Sequence, residues 1–214
     1  VYITISIFTS YPVKIREAER DRINYKDKSL IYLGFLLFFY MTMEAGIAGW
    51  IVEYYRTVLM ESEALSLFSL SLFFILITAG RLVSSFYADR IGLDNTLLLN
   101  MAAAMGCLII GTLFRQAAIL IPCSGFFLAT AFPSTVALLS KVLKTGNIRI
   151  LGAFFSIGGL GGLAGPWLIG AFARQAGLDR AYLLLIPFSL CGVLSIYLFK
   201  RNYHERTDIQ PAAL

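Results

Sequence analysis

Six apolar stretches, each about 20 residues long and therefore about the length that crosses a bilayer core as a helix, constrain this chain more than any single residue. They run over 30–52, 64–87, 96–114, 117–140, 150–173 and 181–199. The expected fold class is an all-α membrane protein with six transmembrane helices. The charges between them set the orientation. Of the 18 lysines and arginines, only Arg56, Arg115, Arg174 and Arg180 fall on one side. The rest, with Arg81 and Arg90 counted in the turn at 80–94, fall on the other. By the positive-inside rule the basic side is cytoplasmic, so the first complete helix runs outward and the tail after residue 200 ends inside.

Composition agrees with a bilayer environment. Hydrophobic residues make up 58% and charged residues 14%, against about 45–50% and about 25% in soluble domains. The net charge of +5 sits in the cytoplasmic loops, and no basic cluster with interleaved aromatics forms a nucleic-acid groove. Cys107, Cys123 and Cys191 all lie in apolar segments and read as small packing residues, neither a disulfide framework nor a metal set. No nucleophile–base pair or metal-ligand set stands out, so an enzyme, a cofactor and a metal site are not expected. His204 belongs to the polar tail.

The sequence divides into four parts. Residues 1–10 are apolar but too short to span, and they read as the inner end of a preceding transmembrane helix. Residues 11–29 mix both signs of charge and suit a cytoplasmic loop against the membrane face. Residues 30–200 hold the six-helix bundle, and 201–214 a cytoplasmic tail. Ser29 and Asp94 are candidate N-caps. Trp50, Tyr54 and Tyr55 at the outer end of the first helix, with Tyr197 and Tyr203 at the inner end of the last, fit interfacial aromatic belts.

Proline and glycine mark places where helices bend or touch. Pro122, Pro133, Pro166 and Pro187 fall within apolar segments. Pro122 and Pro187 read as packing kinks, whereas Thr130, Ser134 and Thr135 crowd Pro133 near mid-membrane, as a binding cavity requires. In the fifth helix, Gly158/Gly162 and Gly161/Gly165 are small-xxx-small pairs that let another helix approach closely. That face, with Pro166, serves either static packing or the sliding and bending of a moving transporter.

Glu44 lies about 14 residues, roughly 21 Å, into the first complete helix. A carboxylate at that depth must face the bundle interior or a water-filled cavity. Tyr40 precedes it by one turn, so hydroxyl and carboxyl share a face. Three roles are open to Glu44: proton carrier, hydrogen-bond partner of a polyol, or structural acid. Asn100, in the third helix, is a weaker pathway candidate that also suits interhelical bonding. A second constellation, Gly80-Arg81 followed by Asp89-Arg90-Ile91-Gly92, straddles the cytoplasmic turn between the second and third helices. Asp89 can dock on positive helix ends there, Arg81 and Arg90 can pair with it, and Gly92 permits a tight reversal. Such a clasp would gate the cytoplasmic face.

The Asp89-Arg90-Ile91-Gly92 turn resembles the signature loop of the major facilitator superfamily, and the chain as a whole resembles that superfamily's C-terminal six-helix half. Ser85 stands where the usual motif has glycine, and Leu93-Asp94 replace its basic pair. Tyr40-x3-Glu44-x5-Trp50-x3-Tyr54, Gly80-Arg81, Ala131-Phe132-Pro133-Ser134 and the run from Gly158 to Pro166 look similar to fucose-permease-like sugar symporters. The resemblance implies twelve helices in two halves, with the N-terminal half missing here, and two inverted three-helix repeats in this half. Phe38-Phe39 and Phe126-Phe127 are a faint echo of that repeat.

The resemblance also implies a secondary active transporter in a plasma or inner membrane. It would move a small polar solute, foremost a monosaccharide, by alternating access with proton or sodium coupling. The substrate and ion pathway would then include Tyr40, Glu44, Asn100, Thr130, Pro133 and Ser134. The alternatives are an efflux antiporter of amphipathic compounds and, in another class, a non-transporting membrane scaffold or receptor. The partners expected are the solute, the coupling ion, the lipid bilayer and the other half of the chain.

Overall fold

The computed structural model describes residues 28–143 and 148–209. The expected helix end at 1–10 and nearly all of the linker at 11–29 lie outside the described residues. Within them the chain is helical, without strands, as a bilayer demands of a backbone that must satisfy its own N–H and C=O groups. The elements are α1 (Lys28–Glu53), continued by a π-helical turn (Tyr54–Val58), α2 (Glu63–Ile91), α3 (Leu93–Leu113), a 3-10 turn (Arg115–Ala117), α4 (Leu120–Leu128), α5 (Ala131–Leu143), α6 (Ile148–Ala176), α7 (Leu178–Tyr182) and α8 (Leu185–Ile209). They make six spans long and apolar enough to cross a membrane, the fourth being α4–α5 and the sixth α7–α8.

Helix ends differ from the sequence reading in physically simple ways. Ser29 is not a cap: α1 already includes Lys28, and Ser29 is buried inside it. Ser62 caps α2 by accepting a hydrogen bond from the Leu65 N–H at 3.3 Å. Between α2 and α3 stands Gly92 at φ 91°, a left-handed conformation that glycine adopts without strain. Gly92 is therefore the residue before α3, and Asp94 sits within its first turn, where a carboxylate favours the positive helix end. The last helix continues through Ile209, past the expected bundle boundary at 200.

Prolines begin helices here more often than they kink them. Pro122, Pro133 and Pro187 each occupy the third position of a helix, in α4, α5 and α8. In a first turn the missing N–H would have no intrahelical acceptor, so proline costs little there. The sequence reading of Pro122 and Pro187 as kinks is corrected accordingly. In the fourth span, α4 ends at Leu128, Ala129 and Thr130 form a turn, and the Ser134 N–H donates to the Thr130 carbonyl at 3.0 Å to restart the helix. Among the described prolines, Pro166 is the one past the first turn of its helix, inside α6.

The packing repeats itself. The first span packs on the fifth and sixth, the second on the fourth, and the third on the fourth and sixth. Exchanging the first three spans with the last three, in order, turns first-on-fifth into fourth-on-second and first-on-sixth into fourth-on-third. Both contacts occur, as two three-helix repeats require. The buried core runs along α1, through Leu33, Leu36, Leu37, Met43, Ile47 and Ile51. Broad apolar faces of α2 and α6, including Phe86 and Leu163, remain exposed.

Candidate functional site

The centre of the candidate site is α1, the span with the most extensive packing in the bundle. Tyr40 and Glu44, one helical turn apart, point the same way, and the Tyr40 hydroxyl donates a hydrogen bond to Glu44 Oε2. Tyr40 is buried and Glu44 half-buried, so the carboxyl group is partly open while its partner is held by packing. A carboxylate in a membrane core is disfavoured by a few kcal/mol on the order that insertion measurements give. The Tyr40 bond offsets part of that cost and fixes the side chain's direction.

Arg81 joins this pair. The sequence reading counted it among the charges of the cytoplasmic turn, but it lies ten residues before the end of α2, about 15 Å of helix rise from that end. Tyr40 lies 12 residues beyond Lys28, the first described residue of α1, about 18 Å of helix rise. The two residues thus reach the same depth, and the Arg81 guanidinium is close enough to act on the Tyr40 hydroxyl. Among the described residues the ion pair present is Arg56 with Glu53 at 2.7 Å. Arg81 and Glu44 therefore flank Tyr40 without reaching ion-pair distance of each other.

A second polar group ties three spans together. Asn100 Nδ2 donates to the Thr130 hydroxyl at 3.0 Å and to the Tyr87 hydroxyl at 2.9 Å. The Tyr87 hydroxyl is in turn 3.3 Å from Asn100 Oδ1. Asn100 and Thr130 are buried. The Thr130 turn, where the fourth span breaks, is thereby anchored to α3 and α2. Ser134 is buried one turn further on, and Pro133 is exposed. The structure thus groups Asn100 and Thr130 in one network and Tyr40 and Glu44 in another. Tyr87 was missed in the sequence. The signal for it was positional: Tyr87 and Asn100 flank the Gly92 reversal on facing helices.

The remaining gate residues separate. Gly80 faces the fourth span, where an added Cβ would strike the Phe126 carbonyl oxygen. Arg90 is exposed in the last turn of α2. The Asp89 side chain lies outside what the structure describes.

The glycine face of α6 lies on α1. Added Cβ atoms at Gly161 and Gly165 would meet the carbonyl oxygens of Phe38 and Thr42, and one at Gly158 would lie 3.2 Å from the Leu37 side chain. Gly162 has only Met41 near it, at 3.8 Å, and Gly159 faces open space. Pro166 is engaged as well, its carbonyl accepting from Trp50 Nε1 at 2.9 Å. A cavity of about 530 Å³ between α1 and α6, lined by Leu30, Phe35, Phe38, Phe154 and Ile157 among others, is apolar and lies toward the N-terminal end of α1 from Tyr40. It offers nothing to a polar solute.

At the C-terminal end of α1, the tyrosines expected in an interfacial belt pack inward instead. Tyr54 and Tyr55 are buried. Tyr54 stacks on Tyr182 with centroids 4.4 Å apart, and the Tyr55 hydroxyl donates to the Ala118 carbonyl at 2.8 Å. Among the described residues no group of three or more His, Cys, Asp or Glu side chains is placed to hold a metal.

The family model described as Major Facilitator Superfamily matches residues 33–214, from the first span through the last. A search of the curated proteins returns no match to the chain.

Proposed function

This chain belongs to the Major Facilitator Superfamily, and we propose that it forms the C-terminal half of a proton-coupled symporter for a small hydroxylated solute of the monosaccharide class. Membership and the six spans make it a multi-pass membrane transporter; the solute, the proton and the mode of coupling are the proposal. The observation that carries it is the half-buried Glu44 carboxyl group, held by the Tyr40 hydroxyl in the middle of α1. Acids inside spanning helices mark proton and ion pathways, and alternating access opens such a group to each side in turn.

In this reading the exposed faces of α2 and α6 meet an N-terminal half that completes the cavity. The Asp89-Arg90 turn acts as a cytoplasmic clasp, the tail is cytoplasmic, and the chain resides in a plasma or inner membrane. The fixed contacts of Gly161, Gly165 and Trp50 keep α1 and α6 together as one rigid unit during the cycle, so motion occurs between halves. The test is uptake of labelled monosaccharides and their derivatives into vesicles by the intact protein, with and without an inward proton gradient. Accumulation that needs the gradient supports the reading. Accumulation indifferent to it overturns the coupling.

A further inference from the structure

Pro166 lies inside α6, and its ring nitrogen carries no hydrogen. The carbonyl four residues back, that of Gly162, therefore lacks its helical donor. An acceptor without a donor is strongly disfavoured in a bilayer core. A membrane helix tolerates such a proline where a neighbouring helix, a side chain or water supplies the missing bond. For Pro122 and Pro187 the structure shows the replacement. The Ala118 carbonyl, four residues before Pro122, accepts from the Ile121 N–H at 2.9 Å and from the Tyr55 hydroxyl at 2.8 Å. The Leu183 carbonyl, four before Pro187, accepts from the Ile186 N–H at 3.0 Å. Around Gly162, described side-chain donors are bonded elsewhere: Trp50 to the Pro166 carbonyl, Thr42 to the Phe38 carbonyl and Ser156 to the Gly152 carbonyl.

Gly162 sits on an open flank of α6. An added Cβ there has Met41 at 3.8 Å as its neighbour, and one at Gly159 meets nothing within 4 Å. Phe155, Gly159, Gly162 and Pro166 follow one another at helical spacing and so share one stripe of α6. At one end of that stripe, Phe155 stacks on Phe132 of α5, with centroids 6.0 Å apart. α1 and α6 run parallel and in step, since Gly161 meets the Phe38 carbonyl and Gly165 the Thr42 carbonyl. Helix carbonyls point along the axis toward the C-terminal end, so the Gly162 oxygen is directed toward the level of Pro166. An added Cβ at Gly49 of α1 would lie 3.4 Å from the Pro166 ring. The stretch 42–49 of α1, which contains Glu44, is thus level with that oxygen.

We propose that the Gly162 carbonyl is a hydrogen-bond acceptor of the transport cavity and receives one hydroxyl group of the solute. This role rests on the reading of the chain as a carrier of a hydroxylated solute and adds a specificity-determining group on α6. A carbonyl accepts and never donates. It therefore holds a hydroxyl and rejects a solute in which hydrogen replaces that hydroxyl. Water takes the same bond when the solute leaves. The carbonyl has no titratable proton, so its bond to the solute is the same whether or not Glu44 is protonated. The solute is held from α6 through both halves of the cycle.

The test uses the intact protein in proteoliposomes, with labelled glucose, galactose and fucose, each competed by its singly deoxygenated analogues. In the wild type, the analogue that lacks the bonded hydroxyl binds about three- to tenfold more weakly than its parent. Pro166→Ala returns an N–H that closes the helical bond to Gly162, while the carbonyl at 166 still accepts from Trp50. In that variant the parent sugar weakens by the same factor, the penalty on that one analogue disappears, and the penalties on the others stay. Pro166→Gly, which also restores the N–H, repeats the pattern. A raised Tm of Pro166→Ala shows that the fold is intact. Unchanged penalties in both variants, or an equal loss across every analogue, overturn this role and leave the transporter reading standing. A wild type that binds none of these sugars overturns the reading and the role together. The expected pattern with uptake indifferent to a proton gradient supports the role and overturns the coupling alone.

Discussion

Gly161 of α6 lies directly against the Phe38 carbonyl oxygen of α1, with no room for a Cβ between them. Gly80 of α2 lies against the Phe126 carbonyl of α4 in the same way. Fifth on first and second on fourth are the two contacts that a three-helix repeat exchanges. Phe38 and Phe126 each begin an edge-to-face phenylalanine pair, with centroids 5.4 Å and 5.3 Å apart. A buried threonine follows each by four residues, Thr42 and Thr130. The sequence echo between Phe38-Phe39 and Phe126-Phe127 thus corresponds to two equivalent close approaches of backbone to backbone.

Gly161→Ala and Gly80→Ala should each destabilise the bundle. Elsewhere in a helix the exchange of glycine for alanine is favourable by about 0.5–1 kcal/mol, but here the added methyl group forces two helices apart, at about 1–3 kcal/mol. Gly159→Ala, which faces open space, should be neutral or slightly stabilising. Thermal unfolding in detergent ranks the three, and a Gly161→Ala protein as stable as Gly159→Ala would refute the contact.

The Asn100 network should behave as a unit. Asn100→Ala removes the donor that joins Tyr87 and Thr130, and interhelical hydrogen bonds in membranes are worth about 0.6 kcal/mol on average and about 1.7 at most. Thr130→Val removes one of those bonds. The double variant should therefore lose less than the sum of the singles. Additive losses would show that the two residues act independently.

Trp50→Phe keeps the ring packing but loses the bond to the Pro166 carbonyl. The expected cost is about 0.5–1.5 kcal/mol, with α6 packing loosened in its C-terminal half. Cysteine crosslinking between α1 and α6 reports the change. An undiminished crosslink yield together with undiminished stability would show that the bond contributes nothing.

Reporters placed at Glu61 and after Leu214 should fall on opposite sides of the membrane, Glu61 outside. Protease accessibility in oriented vesicles reads this directly, and a protected Glu61 site with an external tail would invert the topology.

Much of the fold was legible because it is written in uninterrupted apolarity, which six bilayer-spanning helices require and few other architectures tolerate. The interruptions were harder to read. Pro122 and Pro187 look like kinks in a hydropathy profile, because apolar content does not record whether a proline sits in a first turn or a later one. Trp50, Tyr54 and Tyr55 follow the composition of an interfacial belt, and only tertiary packing shows that Tyr54 stacks on Tyr182 within the bundle. Arg81 was drawn toward the turn by the motif that follows it. Its depth was countable from Gly92, but its proximity to Tyr40 depends on how α1 and α2 are laid side by side. Glu44 and Tyr40 were legible together because one helical turn separates them and no tertiary information is needed.

The central claim, that Glu44 carries the coupling proton, is tested most directly by Glu44→Gln in proteoliposomes of the intact protein. Exchange of labelled solute across a membrane without a gradient is measured beside accumulation driven by an inward proton gradient. Glutamine keeps the shape and still bonds to Tyr40, but it holds no titratable proton. The account predicts that accumulation collapses while exchange persists. Accumulation at the wild-type level would contradict it.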